Sequence, residues 1–355
     1  MRADGLAAEL RGWPSSGPSS PPGKGPVAAE GAWPRVSLVT PSFNQARFLE
    51  DTILSVLNQG YPDLEYMVID GGSTDGSLEI IQRYAGRFAH WESAPDRGQS
   101  HAINKGWQRA TGKYLWWLNS DDMLTPDSLA SAVRHLEANP ADELIYGDLL
   151  SIDEEGQLLG VWSLRDFDFA DFMTKGGHVA QPGGLVRRET VARIGYLDEG
   201  LHYLMDWDFW TRLTLSGGRL IHLPQTLAMY RVYDEAKTGA GSPVSVQERY
   251  LLNERLLADP RLPAGIRAQK ARVTSGMHLT CSRTYLLCGD YRRAVLEAGL
   301  SVRSWPIRLG SPSLWYHGAL GLLGLVVGHR TWRWFRSALR RVRDTSRPGG
   351  GGEGS

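Results

Sequence analysis

Leu115-Trp116-Trp117-Leu118-Asn119-Ser120-Asp121-Asp122 is an apolar run that stops on two adjacent carboxylates. Four bulky apolar residues in a row read as a strand buried on both faces, as in a parallel sheet. Open α/β sheets bind ligands beyond the carboxyl ends of their strands, so the polar end of this stretch faces a crevice. Two neighbouring buried carboxylates repel each other and need a cation, and a hard divalent ion takes oxygen ligands. One reading is therefore a metal–diphosphate site. The other is an Asp pair capping the helix that Thr125-Pro126-Asp127 starts.

Working upstream, Val36 to Thr40 is a short apolar strand that Pro41-Ser42-Phe43-Asn44 ends with turn residues. Leu49, Ile53, Val56 and Leu57 recur at helical spacing. Leu64 to Ile69 is a second strand closing on Asp70, and Gly71-Gly72-Ser73-Thr74-Asp75-Gly76-Ser77 leads into a helix from Leu78 to Tyr84. A short strand near His90-Trp91, a helix from Gln99 to Ala110 and the strand Lys113 to Leu118 follow. Strand, loop and helix in alternation predict a doubly wound α/β sheet.

The Gly-rich loop follows a strand and opens a helix, but lacks the G-x-G-x-x-G spacing of a dinucleotide fingerprint and the Gly-Lys-Ser/Thr of a P-loop. Asp70 is the more telling residue. A carboxylate at a strand end can accept hydrogen bonds from a nucleotide base or ribose, whereas a plain connecting turn accounts for the glycines only.

Four motifs in this order and spacing are similar to those of the inverting glycosyltransferases of family 2, which have the GT-A fold. They are Val-Thr-Pro-Ser-Phe-Asn at 39–44, Val-Ile-Asp-Gly-Gly-Ser-Thr-Asp-Gly-Ser at 68–77, Asn-Lys-Gly at 104–106 with Leu-Asn-Ser-Asp-Asp at 118–122, and Met-Asp-Trp-Asp-Phe-Trp-Thr-Arg-Leu at 205–213. The resemblance covers Val36 to about Tyr233. It implies a mostly parallel, Rossmann-like central sheet flanked by helices, and transfer of one sugar from a nucleotide-diphosphate donor of the UDP, GDP or dTDP type. The implied acceptor is a glycan or lipid-linked hydroxyl in cell-surface polysaccharide or glycolipid synthesis. No Gln-x-x-Arg-Trp motif is present, which favours one sugar per encounter over processive polymerisation.

Carried over residue by residue, the resemblance implies that Pro41, Ser42 and Asn44 contact the nucleotide and that Asp70 holds the base. Asp96 and Lys105 would border the same pocket, Lys105 offsetting phosphate charge. The family's Asp-x-Asp metal motif begins here with Asn119, which can bond a ribose hydroxyl but brings no charge. Asp121 is then the leading ligand for Mg²⁺ or Mn²⁺, and Asp122 a second ligand or a loop-orienting partner. His178 and Gln181 fall in the region facing the acceptor; for His178 a structural loop role is the alternative. Asp206 matches the acid that takes the acceptor's proton, with helix capping as the competing role and Asp208 as the other nearby carboxylate. Two departures bear on the metal shell: Tyr233 stands where relatives often have His, and His101 where they often have an acid.

Composition agrees with an ordinary soluble globular chain: 355 residues, 42% hydrophobic and 22% charged. The formal net charge of zero gives no electrostatic argument for nucleic acid. Cys281 and Cys288, seven apart on a predicted helix, form neither a disulfide framework nor a zinc cluster, which fits a reducing compartment. Residues 1–34, rich in Pro, Gly, Ser and Ala without a continuous apolar run, read as a disordered leader with no signal peptide; 346–355 read as a disordered tail.

Between them, 35–240 is the expected GT-A domain and 245–345 a helical extension. Tyr285, Gly289-Asp290-Tyr291 and Ala294 resemble one tetratricopeptide-like hairpin. From 314 to 343 the chain turns apolar, then interleaves Arg330, Arg333 and Arg336 with Trp332, Trp334 and Phe335 before Arg340, Arg341 and Arg343. The apolar part is short for a span of about 20 residues. A basic aromatic segment suits the surface of an anionic membrane, so a cytoplasmic protein peripheral to the inner face is expected; a terminal helix packed on the core is the alternative. Two other functions compete. A sugar-phosphate nucleotidyltransferase would need a Gly-rich basic loop that Val39 to Asn44 does not offer, and a degenerate nucleotide-sugar or glycan-binding protein is favoured by Asn119 and Tyr233 but opposed by Asp121 and Asp206.

Overall fold

The computed structural model describes residues 13–14, 33–175, 179–237 and 241–323. Its centre is a nine-stranded sheet in the order β3-β2-β1-β4-β8-β6-β9-β5, with β7 paired to β6. The strands are β1 (Val36–Ser42), β2 (Leu64–Asp70), β3 (His90–Ser93), β4 (Tyr114–Trp117), β5 (Met123–Leu124), β6 (Leu144–Ile152), β7 (Leu158–Trp162), β8 (Gly184–Arg187) and β9 (Leu220–Arg231). The four strands β3-β2-β1-β4 are all parallel. Antiparallel β8 then separates β4 from β6, while β9 runs parallel to β6. In the mixed half the sequence predicts strand at Leu144–Tyr146 and Leu185–Arg187, inside β6 and β8, but does not show β9. Leu220–Arg231 carries His222, Pro224 and Gln225, which break any apolar run, and its register with β6 shifts there.

Both faces of the sheet are covered, which is why β1 and β4 are buried along their whole length, even where β1 carries Ser37, Thr40 and Ser42. On one face α1 (Ala46–Leu57), α2 (Ser77–Tyr84) and α4 (Ser128–Ala138) pack Leu49, Ile53, Ile81 and Val133 against Leu38, Val68 and Trp116. On the other, α3 (Gln99–Arg109) and α7 (Met205–Leu215) bring Ile103, Trp107, Phe209 and Trp210 onto Val39 and Trp117. Trp117 lies edge-on to Trp107 at 5.3 Å and stacked on Trp210 at 5.7 Å. Each such ring takes about 150–250 Å² out of water, so this aromatic wedge fixes where β4 ends relative to α7. At Gly106 a β-carbon would stand 2.5 Å from Val39 Cγ2, so only glycine lets α3 lie this close to β1.

Two shorter helices, α5 (Phe169–Lys175) and α6 (Arg188–Ile194), complete the first part. The C-terminal part is helical: α8 (Pro243–Ala258), α9 (Ala264–Ala268), α10 (Lys270–Cys288) and α11 (Tyr291–Ser304). Ser242 caps α8, accepting from Val244 N at 3.1 Å, with proline in the first turn. Gly289, at φ +74°, turns α10 into α11, and Asp290 caps α11 through Arg293 N, giving the expected hairpin. Leu252, Leu256, Ile266 and Val273 join the same core as α7, so these helices are packed on the sheet domain. Among the described residues no helix is long and apolar enough to cross a membrane. The basic stretch from 324 onward, most of the leader and the tail lie outside the described residues.

Candidate active site

Two of the sequence motifs interlock at the carboxyl ends of β1 and β2. Pro41 and Ser42 are the last residues of β1, longer than the sequence predicts, and pair in register with Ile69 and Asp70. Asp70 is fully buried. Its carboxylate accepts from Gly72 N at 3.1 Å, Ser73 N at 2.9 Å, Ser73 Oγ at 2.5 Å and Ser93 Oγ at 2.7 Å. The N–H and O–H groups it receives thus come from its own loop and from β3. Gly72 takes φ +85°, a conformation that favours glycine, and this lets the loop fold back over the acid. Asn44, itself at φ +51°, accepts from Thr74 N at 2.9 Å and donates its own N–H to Ser73 Oγ at 2.8 Å. Asp75 accepts from Ala46 N at 2.9 Å, tying the same loop to α1.

Ser42 Oγ, buried at this mouth, has no hydrogen-bond partner among the described residues. A buried hydroxyl without a partner marks a place where a polar ligand fits. Asp96 borders the loop: its carboxylate is 3.2 Å from where a β-carbon on Gly71 would stand, and it accepts from Gly98 N at 2.7 Å. Lys105 is ion-paired with Glu92 of β3.

Beyond β4 the carboxylate pair sits in a braced corner. Asp122 is 1% exposed, and both its oxygens are engaged, Oδ1 by Arg231 N at 3.2 Å and Oδ2 by Asn119 Nδ2 at 3.3 Å. Burial and the charge of Asp121 push its pKa well up. Asp121 is half-buried, and burial raises its pKa too; Tyr233 Oη donates to Oδ2 at 2.8 Å. Arg231 fixes the corner from beneath. Its buried guanidinium donates to the carbonyls of Asp121, Asp153 and Glu154, pairs with Asp51 at 3.2 Å and lies over the Phe48 ring at 4.6 Å.

Asn119 centres a chain of amides. Its Oδ1 accepts from Gln99 at 2.6 Å, and its Nδ2 donates to Gln181 Oε1 at 2.9 Å, while Gln181 donates to Trp117 O at 2.9 Å. Gln99 in turn accepts from the exposed amine of Lys237 at 2.8 Å. Lys237 is near enough to Asp121, Asp206 and Glu248 to feel all three charges. His178 lies outside the described residues.

Asp206 is inside the first turn of α7 rather than before it; Leu204 holds the capping position. Its Oδ1 accepts from Trp207 N at 2.7 Å, and burial raises its pKa while Lys237 and Arg249 oppose the rise. Asp208, two residues on and so on the opposite side of the helix, is committed elsewhere: it pairs with Arg212 at 2.7 Å, which also donates to the carbonyls of Ile194, Gly195 and Tyr196. Glu248 of α8 is buried and accepts from the backbone N–H groups of His202, Tyr203 and Leu204 at 2.6, 2.9 and 3.0 Å. A carboxylate from the helical part therefore holds the approach to α7. Glu248, Lys237 and Arg231 carry no periodic signal, so sequence patterns alone did not mark them. Only Arg231 lies near a residue that the sequence singles out, Tyr233.

The family model for glycosyl transferase family 2 matches residues 37–182. An uncharacterized glycosyltransferase of Mycobacterium tuberculosis (strain H37Rv) is 33% identical over 187 residues, covering 51% of this chain and 70% of the relative. The chain belongs to glycosyltransferase family 2. A putative teichuronic acid biosynthesis glycosyltransferase of Bacillus subtilis (strain 168) is 39% identical over 106 residues, 29% of this chain and 42% of that one. Two solved structures share the fold of this family 2 chain. S. aureus TarS 1–349 in complex with UDP-GlcNAc has a TM-score of 0.56 at 17% identity, covering 81% of this chain and 88% of that one. The mannosyltransferase PcManGT of Pyrobaculum calidifontis with GDP-Man and Mn²⁺ has a TM-score of 0.53 at 19% identity, covering 91% and 94%.

Among the described residues no group of three or more His, Cys, Asp or Glu could hold a metal. A hard ion does not require one. Mg²⁺-type sites are commonly completed by one or two carboxylates, substrate phosphates and water. Asp121, half-buried with Tyr233 as its one side-chain donor among the described residues, fits that arrangement as the carboxylate.

Proposed function

We propose that this family 2 member is an inverting, metal-dependent glycosyltransferase that moves one sugar from a nucleotide-diphosphate donor to an acceptor hydroxyl in cell-surface polysaccharide or glycolipid synthesis. The observation that carries the reading is Lys237, which feels the charges of both Asp121 and Asp206 and donates to Gln99, itself bonded to Asn119. The names of the relatives, a teichuronic acid enzyme and structures holding UDP-GlcNAc or GDP-Man with Mn²⁺, support the substrate class.

In this reading Ser42, Asn44 and the loop shaped by Asp70 receive the nucleotide, with Asp96 bordering it. Asp121 would hold Mg²⁺ or Mn²⁺, and Asp122 braces Asn119 and the backbone of β9. Bound there, the ion supplies positive charge to the leaving diphosphate. Lys237 adds a second positive charge on that side. Asp206 takes the proton of the acceptor hydroxyl as its oxygen bonds to the anomeric carbon and the bond from that carbon to the diphosphate breaks. A single displacement inverts the centre. Its raised pKa makes Asp206 a better proton acceptor than a free aspartate. Residues 35–240 act as the transfer domain and 245–345 as an extension that shapes its acceptor side.

We place the protein in the cytoplasm, peripheral at the inner face of the membrane. Ile307, Trp315, Tyr316 and Leu322 are 72%, 62%, 62% and 56% exposed and lead into the basic, aromatic stretch of the sequence. Sedimentation with anionic vesicles is expected to retain the full chain and lose a chain ending at Pro312; equal retention would refute it.

The decisive experiment is a panel of UDP-, GDP- and dTDP-sugars assayed for hydrolysis or transfer with Mg²⁺ and Mn²⁺. Turnover of one donor with inversion at its anomeric carbon is expected. Binding without turnover across the whole panel would leave a nucleotide-sugar-binding protein instead.

A further inference from the structure

Trp13 and Pro14 stand in the Pro-, Gly- and Ser-rich leader, yet both are seated on the sheet domain. The Trp13 indole Nε1 donates to the carbonyl of Leu124 at 2.8 Å, and its ring packs on the cluster of Met123, Leu150, Ile152 and Met229. Pro14 is buried, and its carbonyl accepts at 2.7 Å from Nδ2 of Asn58, the residue that caps α1. An indole with its N–H bonded and its ring against buried apolar side chains is a specific anchor.

What it anchors is the chain directly after Asp121 and Asp122. β5 is a two-residue strand at the end of the sheet, paired to β9 through Met123 with Met229 and Leu124 with Ala228. Strands usually run to about 3–10 residues, so one this short is held in place by side-chain contacts more than by its ladder. Two such contacts come from α1: Thr52 Oγ1 donates to the carbonyl of Asp122 at 2.7 Å, and Ser55 Oγ accepts from Leu124 N at 3.1 Å. The third is the Trp13 bond to Leu124. β9 in turn carries Arg231, whose N–H reaches Asp122 and whose guanidinium reaches the carbonyl of Asp121. Met123 and Met229, the pair that joins the two strands, both belong to the cluster on which Trp13 packs.

We propose that Trp13 is a positioning residue for the metal corner: the leader clips β5 to β9 and thereby fixes the turn that carries Asp121 and Asp122. The role of Asp121 rests on the transferase reading, whereas the clip does not. Trp33, the other tryptophan of the leader, packs edge-on against Tyr61 at 5.3 Å with Arg134 5.9 Å from its ring, and supplies a matched control.

Hydrogen exchange of the full chain, read by mass spectrometry, tests the clip. In Trp13→Ala, peptides spanning 119–125 are expected to exchange about tenfold or more faster than in the parent, the factor that a hydrogen bond and its packing carry together, while those spanning 68–77 keep their rates within about twofold. Trp33→Ala is expected to leave 119–125 at the parent's rates. Unchanged exchange there in Trp13→Ala, or equal acceleration in Trp33→Ala, overturns the proposal. Should Trp13→Ala fail to fold, Trp13→Phe keeps a ring in the cluster and loses only the bond to Leu124. About threefold or more acceleration is then expected, and its absence overturns the proposal.

Calorimetric titration of Mn²⁺ with UDP or GDP present reads the role at the metal corner. The Trp13 variant is expected to bind the ion about threefold or more weakly than the parent, with nucleotide affinity in EDTA within about twofold, and Trp33→Ala to match the parent. Faster exchange at 119–125 with unchanged Mn²⁺ affinity would make the clip purely structural and overturn the positioning role. A parent that binds no Mn²⁺ would sink the metal reading separately, and the exchange measurement would still decide the clip.

Discussion

Tyr233 Oη donates to Asp121 Oδ2 at 2.8 Å, and the same ring rests on Phe48 at 4.9 Å while Gln45 donates to its hydroxyl at 3.3 Å. The residue that replaces the family's frequent His thus occupies one oxygen of the proposed metal ligand. Tyr233→His substitutes a nitrogen ligand for a phenol held in its neutral form by burial and by Asp121. Calorimetric titration of Mn²⁺ in the presence of nucleoside diphosphate is expected to show binding tighter by about threefold or more, a gain of at least about 0.6 kcal/mol. An unchanged or weaker affinity would place the ion away from this side of Asp121.

Asp206 and Asp208 lie two residues apart with different partners, so their variants should separate chemistry from stability. Asp206→Asn is expected to lower kcat by about 10²–10⁴-fold, the range of general-base assistance, with donor affinity nearly unchanged. Asp208→Asn breaks the bond to Arg212 and is expected to cost about 1–3 kcal/mol in urea unfolding with kcat near that of the parent. The reverse pattern would move the base to Asp208.

The raised pKa of Asp206 sets the sign of the pH dependence. Only its ionised form accepts a proton, so kcat/KM should climb with pH along a limb lying above the ordinary aspartate value of about 3.9. Arg249 favours the ionised form, and Arg249→Met should shift that limb to higher pH. Folding favours the protonated form, so this group's contribution to stability falls as pH rises from the unfolded to the folded pKa. Asp206→Asn should flatten that part of the stability profile. A limb that Arg249→Met leaves in place would separate the two charges.

Glu248 reaches the site through backbone alone. Glu248→Gln replaces a charged acceptor of three N–H groups by an amide that cannot serve them all, at a cost of about 2–4 kcal/mol. Below its unfolding midpoint the variant is expected to lose kcat more than donor affinity, because the segment leading to Asp206 shifts while the nucleotide loop does not. Equal losses in both would mean a general loosening of the fold.

The sequence by itself determined the parallel half of the sheet and the chemistry at its edge. Buried strands such as Tyr114–Trp117 must be apolar on both faces, and the acids that end them, Asp70 and Asp121, stand out against that run. Helical periodicity likewise marked α1, α3 and the α10–α11 hairpin. Only the tertiary structure decided what those acids do. Asp70 is satisfied by a loop folded back on it, Asp122 is closed off by Arg231 and Asn119, and Asp208 is claimed by Arg212. Asp121 takes the Tyr233 hydroxyl, and Asp206 is set in a helical first turn held by Glu248 from 42 residues away along the chain. Period and composition report which face of an element is buried. Which charge meets which depends on long-range packing, which leaves no local pattern in the chain.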